Sequence, residues 1–124
     1  MRQVKREASM ALSEFEIKKI EKAVSKFLAK RRLPVSIRNE LDFGWRLEKH
    51  SFYVFETRPA WNNPSELQNS DCIKATFVRT QGIWKIYWLR QDLKWHTYEP
   101  CGQAKTIEQV IEVLDKDHYG CFFG

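Results

Sequence analysis

The chain reads as a single α+β domain: an N-terminal amphipathic helix, an antiparallel meander of about five strands, and a C-terminal helix followed by an apolar tail. Three observations predict this. Apolar residues recur at helical spacing near both ends, and each run opens on a capping box. Between them, residues 42–59 and 71–100 alternate side chains with the period of two that strands impose. Tight-turn residues punctuate those stretches, and no crossover-length helical segment separates them, so neighbouring strands pair antiparallel.

Composition narrows the class. A chain of 124 residues suits one domain with a real core. Its 14% aromatic content argues against disorder. No apolar run reaches the length of a bilayer span, and the basic, polar start MRQVKREAS lacks a secretory apolar region, so a cytoplasmic protein is expected. Cys72, Cys101 and Cys121 form no CxxC pair and are expected as reduced thiols. The net charge of +5 permits an acidic partner such as nucleic acid without requiring one.

Residues 1–9 read as a polar extension ahead of a domain spanning 10–124, with Met10 an equally good start. Ser13 and Glu16 form the first capping box, and Leu12 and Ile17 make the hydrophobic staple beside it. Ile17, Ile20, Val24, Phe27 and Leu28 continue the buried stripe, and Pro34 ends the helix. The closing basic cluster Lys30, Arg31 and Arg32 complements the helix dipole; a nucleic-acid contact is the sharper alternative.

Residues 42–59 predict a hairpin turning at Lys49-His50. Leu47 then faces Phe52, Trp45 faces Val54, and the Phe55 ring covers Gly44 from the opposite strand. Phe43, Trp45 and Leu47 point inward; Gly44, Arg46, Tyr53 and Phe55 point outward. Two prolines and two asparagines then mark a break, and residues 61–70 read as the longest irregular stretch, with Trp61 able to plug one end of the core.

Gln81-Gly82 predicts a two-residue hairpin loop that sets Phe77 opposite Ile86 and Ala75 opposite Trp88. Ala75, Phe77, Trp84, Ile86 and Trp88 share one face, and Lys74, Lys85 and Tyr87 lie on the other. A four-residue turn over 91–94 would set Leu89 opposite His96 and Tyr87 opposite Tyr98, which places His96 and Tyr98 on the Lys74 face. A loop follows to Lys105. Thr106 and Gln109 form the second capping box, and Ile107, Val110, Ile111 and Leu114 the stripe of the last helix. The tail beyond it, with Tyr119, Phe122 and Phe123, is too apolar for free solvation and is a candidate interface.

The stretches LDFGWRLE, FETRPAWNNP, WKIYW, LKWHTYEP and YGCFFG resemble a family of small bacterial proteins known as a domain of unknown function, number three thousand and twenty-four. The resemblance runs from Met10 to Gly124. It implies a start near Met10 and brings with it no activity, cofactor or catalytic residue.

Catalytic motifs are missing from the sequence: no nucleophile elbow, no Gly-rich phosphate loop, no dinucleotide fingerprint. An enzyme is therefore the less favoured expectation, and no cofactor is expected. The possible zinc donors Cys72, His96, Cys101, His118 and Cys121 lack the usual paired spacing, so no metal site is assigned. Glu40, Asp42 and Glu56 followed by Arg58 loosely suggest a metal-dependent nuclease; a plain Glu56–Arg58 salt bridge is the structural alternative. The outward sheet face is the leading candidate for binding, through Arg46, Tyr53, Lys74, Lys85, Tyr87, His96 and Tyr98. Two function classes follow from it. The first is a protein-binding or self-associating module, a homodimer in the simplest case. The second is a single-stranded nucleic-acid binder that uses basic heads and stacking rings. The nuclease reading stands third.

Overall fold

In the computed structural model, residues 12–31, 34–37, 40–99 and 101–116 are described. The first helix, α1, spans Glu14–Arg31 and begins as its sequence requires. The Ser13 amide donates to Glu16 Oε1 at 2.8 Å, and the Glu16 amide donates to Ser13 Oγ at 3.1 Å. Ile20, Val24, Phe27 and Leu28 are buried along its inner side. A short 3₁₀ turn at Val35–Ile37 leads to the sheet.

Strands β1 (Asp42–Glu48), β2 (Ser51–Ala60), β3 (Asn63–Val78), β4 (Ile83–Leu89) and β5 (Trp95–Thr97) lie side by side in chain order, all antiparallel. A sixth short strand, β6 (Gln103–Ala104), falls inside the expected loop. It pairs with Trp84 and Lys85 of β4, further along the edge that β5 occupies. Helix α2 (Ile107–Lys116) closes the described chain. Gln109 caps it, its amide donating to Thr106 Oγ1 while its side-chain oxygen accepts from the Lys105 amide.

Both helices pack on one face of the sheet. The core joins Ile20, Val24, Phe27 and Leu28 of α1 and Ile107, Val110 and Leu114 of α2 to Phe52, Val54, Ile73, Ala75, Trp84 and Ile86. At the far end Lys30 and Arg31 clamp Asp115 of α2, and Arg31 also donates to the Asp115 backbone oxygen at 2.7 Å. The basic cluster at the end of α1 thus ties the two helices together through Lys30 and Arg31; Arg32 lies outside the described residues. None of the described helices is long and apolar enough to cross a membrane.

The first hairpin matches its expected register: Leu47 opposite Phe52, Trp45 opposite Val54, Gly44 opposite Phe55, with Lys49 in the left-handed region at φ 54°. Three expectations fail. The β3–β4 loop holds four residues, 79–82, instead of two, because Gly82 (φ 65°) closes it and the Gln81 and Gly82 amides both donate to the Val78 oxygen. This slides the pairing by two residues, so Ala75 meets Ile86 and Trp88 meets Ile73, with every face preserved. The β4–β5 loop is one residue shorter than expected. Leu93 takes φ 62°, and Arg90 pairs with Lys94 through a 3.2 Å backbone bond. A slip of one residue reverses faces, so His96 now stands opposite Trp88 and Trp95 opposite Leu89.

The third failure concerns residues 61–70, which are not irregular: Trp61 and Asn62 form a turn, and residues 63–70 are the first half of β3. This part of β3 pairs with the end of β2, and from Arg58–Gln68 outward it lies past the limits of β1 and β4, forming a two-stranded ribbon; every residue from 61 to 70 is exposed. Pro59 and Pro64 fit there because a ribbon edge facing water needs no donor. Trp61 sits at the tip, 91% exposed, and plugs nothing.

Candidate binding face

The described helices leave the second face of the sheet uncovered. A row of directly opposed residues crosses it: Arg46 on β1, Tyr53 on β2, Lys74 on β3, Tyr87 on β4 and Thr97 on β5. Neighbouring strands lie about 4.8 Å apart, so the row spans roughly 19 Å. Cations and rings alternate along it. The Arg46 guanidinium lies 4.2 Å from the Tyr53 ring centroid. The Lys74 ammonium stands 5.6 Å from Tyr87 and 5.9 Å from both Tyr53 and Trp95. Tyr53 and Trp95 are themselves 5.9 Å apart, tilted by 58°.

A bulge in β3 builds the charged end of this row. Between Val54 and Phe55 the pairing shifts, so that Ile73 faces Val54 while Asp71 faces Phe55, leaving Cys72 as the extra residue. Without that extra residue Asp71 would point toward the core. With it, Asp71 accepts two bonds from Arg46, at 2.8 and 3.1 Å, and Glu48 accepts a third at 2.7 Å. The Asp71 bonds raise the Arg46 pKa, burial opposes them, and Glu48 adds to the rise. Arg46 is therefore a fixed, neutralised plate over Tyr53 and not a free cation. Burial, with the Glu56 charge adding to it, pushes the Cys72 thiol up to about 12, which leaves it protonated at neutral pH.

Four of the expected site residues meet in this row: Arg46, Tyr53, Lys74 and Tyr87. Lys85, paired with Thr76, stands beside it on the same face. His96 and Tyr98 do not belong to it. The one-residue difference in the β4–β5 turn carries both to the helix-covered side, where Tyr98 is fully buried and its amide donates to the Ile86 oxygen. The ring of His96 instead bonds Asp92 at 2.9 Å. Trp95 takes the vacated place, a residue the sequence reading missed for lack of a glycine to mark the turn. The Asp92 side chain accepting from the Lys94 amide at 2.9 Å was the one local signal for it.

The same face continues onto the ribbon. Beyond Phe55 and Asp71, the pairs Thr57–Asn69 and Pro59–Leu67 fall on it, and Leu67 is 65% exposed. The opposite side of the ribbon is polar, with Arg58 bonded to Glu56 at 3.0 Å. Glu56 is thus held in the salt bridge that competed with the nuclease reading. Among the described residues, no group of three His, Cys, Asp or Glu side chains could hold a metal ion. The candidate interface residues Tyr119, Phe122 and Phe123 lie outside the described residues.

No curated protein and no solved structure matches the chain. A family model does: that of a domain of unknown function, DUF3024, over residues 12–124, and the chain belongs to that family.

Proposed function

We propose that this member of the DUF3024 family is a non-catalytic, cytoplasmic protein-binding module that self-associates through the uncovered sheet face and the ribbon extending it. One observation carries the reading: a single face leads from the Arg46–Tyr53–Lys74–Tyr87 row, through Pro59 and Leu67, toward the ribbon tip, where Trp61 is nearly bare. Tyr, Trp and Arg dominate the energetics of protein interfaces, and an exposed Trp at a ribbon tip gains most from burial against a partner. Charge supports the same reading. Among the described residues no carboxylate pairs with Lys74 or Lys85, while Asp71 and Glu48 neutralise Arg46, so the face is closer to neutral than a phosphate-binding surface would be.

The test is mass in solution against concentration for the wild type and for Trp61→Ala with Leu67→Ser. A dimer that dissociates at least about tenfold more readily in the variant supports the reading. A wild type that stays monomeric at high concentration sinks self-association.

Single-stranded nucleic acid is the second reading. It is favoured by the Lys74 ammonium standing among three rings, an arrangement that could hold a phosphate between stacked bases. Salt-titrated binding to single-stranded RNA and DNA decides it. Steeply salt-dependent binding lost in Lys85→Ala with Tyr87→Ala would move the assignment to nucleic acid.

A further inference from the structure

On the other side of the molecule, α1 and α2 run parallel. Leu12, Glu16 and Ile20 adjoin Thr106 and Ile107 at one end, and Lys30 and Arg31 grip Asp115 at the other. Between them, facing away from the sheet, lies a groove of about 460 Å³. Its floor is Ala23, Phe27 and Ile111. Along one wall stand Lys19, Lys22, Lys26 and Lys30, and Glu108 is the one acidic side chain in the lining.

The lysines are spaced three, four and four residues apart, so they form one stripe about 17 Å long. Lys30 bonds Asp115 at 3.3 Å; among the described residues no carboxylate lies within salt-bridge distance of Lys19, Lys22 or Lys26. Like charges four residues apart on a helix repel, as Lys22 and Lys26 do, and destabilise it. The acidic residues of α1 (Glu14, Glu16 and Glu21) all lie in its first half and do nothing to balance the far end of the stripe.

We propose that this groove docks an acidic amphipathic helix of a partner protein. A straight cationic wall beside an apolar floor matches a ligand with apolar side chains on one stripe and carboxylates along the flank of that stripe. A helix of three or four turns has that form, and its ridge would pack into the α1–α2 groove as a third helix. A phosphate backbone offers nothing for Ala23 and Ile111 to bury. A lipid headgroup engages one or two lysines and not a row. Because the groove and the sheet face lie on opposite sides of the molecule, this docking does not depend on the self-association proposed above.

The experiment titrates the full-length, nitrogen-15-labelled chain with a synthetic amphipathic peptide of about 18 residues, Leu on one stripe and Glu beside it, and with its counterpart carrying Lys for Glu. Docking predicts amide shift changes at Ala23, Phe27 and Ile111 with the acidic peptide alone. Affinity should fall roughly tenfold in Lys22→Glu with Lys26→Glu, and also in Ala23→Leu, which fills the floor and keeps every charge. Lys22→Gln with Lys26→Gln gives the same readout with smaller perturbation if charge reversal unfolds the protein. Equal binding of the two peptides, full affinity in Ala23→Leu, or shift changes confined to other surfaces would overturn the proposal. So would a groove that responds to single-stranded oligonucleotides or anionic vesicles but not to the acidic peptide, or one whose amides shift in Phe122→Ala without peptide, which would mark the chain's own end as the occupant.

Discussion

Gly44 shows how one residue links sequence, packing and the binding face. A Cβ built there would stand 2.7 and 2.8 Å from Phe55 Cζ and Cε1, so the Phe55 ring lies directly on the glycine. Any side chain must displace that ring, and the ring borders the Asp71 bulge that holds Arg46. Gly44→Ala is expected to cost about 1 kcal/mol in urea denaturation. In a Phe55→Ala background the same substitution should be neutral or stabilising, because alanine loses less chain entropy than glycine in a strand. A double-mutant cycle without coupling would refute the contact. The glycine–aromatic pair was legible from the sequence because a two-residue turn fixed the register. Leu93 was not. A leucine, 79% exposed at φ 62°, gives no hint that it supplies the left-handed step of a three-residue loop. That one conformation decides whether His96 or Trp95 joins the face.

Among the elements, α1 is tied to the sheet at its first turn. Glu16 serves its own capping box and also accepts from Nη2 of Arg79, the first residue of the β3–β4 loop, at 2.7 Å. Burial pushes the Glu16 carboxyl up, but the Ser13 amide and the Arg79 guanidinium outweigh it, leaving the pKa below the ordinary 4.5. The folded state therefore holds the carboxylate more firmly than the unfolded chain does. That contribution is present above the unfolded pKa and is lost as the pH falls through the folded one. Glu16→Gln should be less stable by about 0.5 kcal/mol near neutrality, the scale of a half-exposed ion pair. The gap should close as the pH falls below the ordinary 4.5 and through the lowered folded-state value, as urea midpoints at neutral and acidic pH would show; a constant gap would assign the effect to the cap alone. The ribbon obeys different physics. Residues 63–70 lack the β-branched and aromatic side chains that mark a strand, and backbone pairing with β2 extends β3 through them regardless. Sequence periodicity could not reveal a strand with no buried side.

At the scale of the whole molecule, two candidate surfaces lie back to back: the aromatic face with its ribbon, and the lysine-lined helix groove. The core between them is closed by Tyr98, Phe52 and Val110, each fully buried. Substitutions on one surface should therefore leave the other untouched. Lys22→Glu with Lys26→Glu is expected to change the concentration dependence of mass by less than about twofold, as sites this far apart act additively. A shift as large as that of the Trp61 and Leu67 variant would mean that the two surfaces form one interface.

What the sequence determined by itself were the parts governed by local rules. The helix caps, the two apolar stripes, the Lys49-His50 turn and the division of the central strands into an inner and an outer face all follow from spacing and turn chemistry within a few residues. Tertiary structure alone decided the rest. It set both later registers, through left-handed backbone at Gly82 and Leu93. It turned Asp71 toward Arg46 through a one-residue bulge at Cys72, and it drew β3 out beyond its neighbours until Trp61 stood in solvent. The physical reason is common to all three. A strand's side-chain pattern states which residues share a face, but pairing with a distant segment, one backbone conformation at a time, states which neighbours they meet.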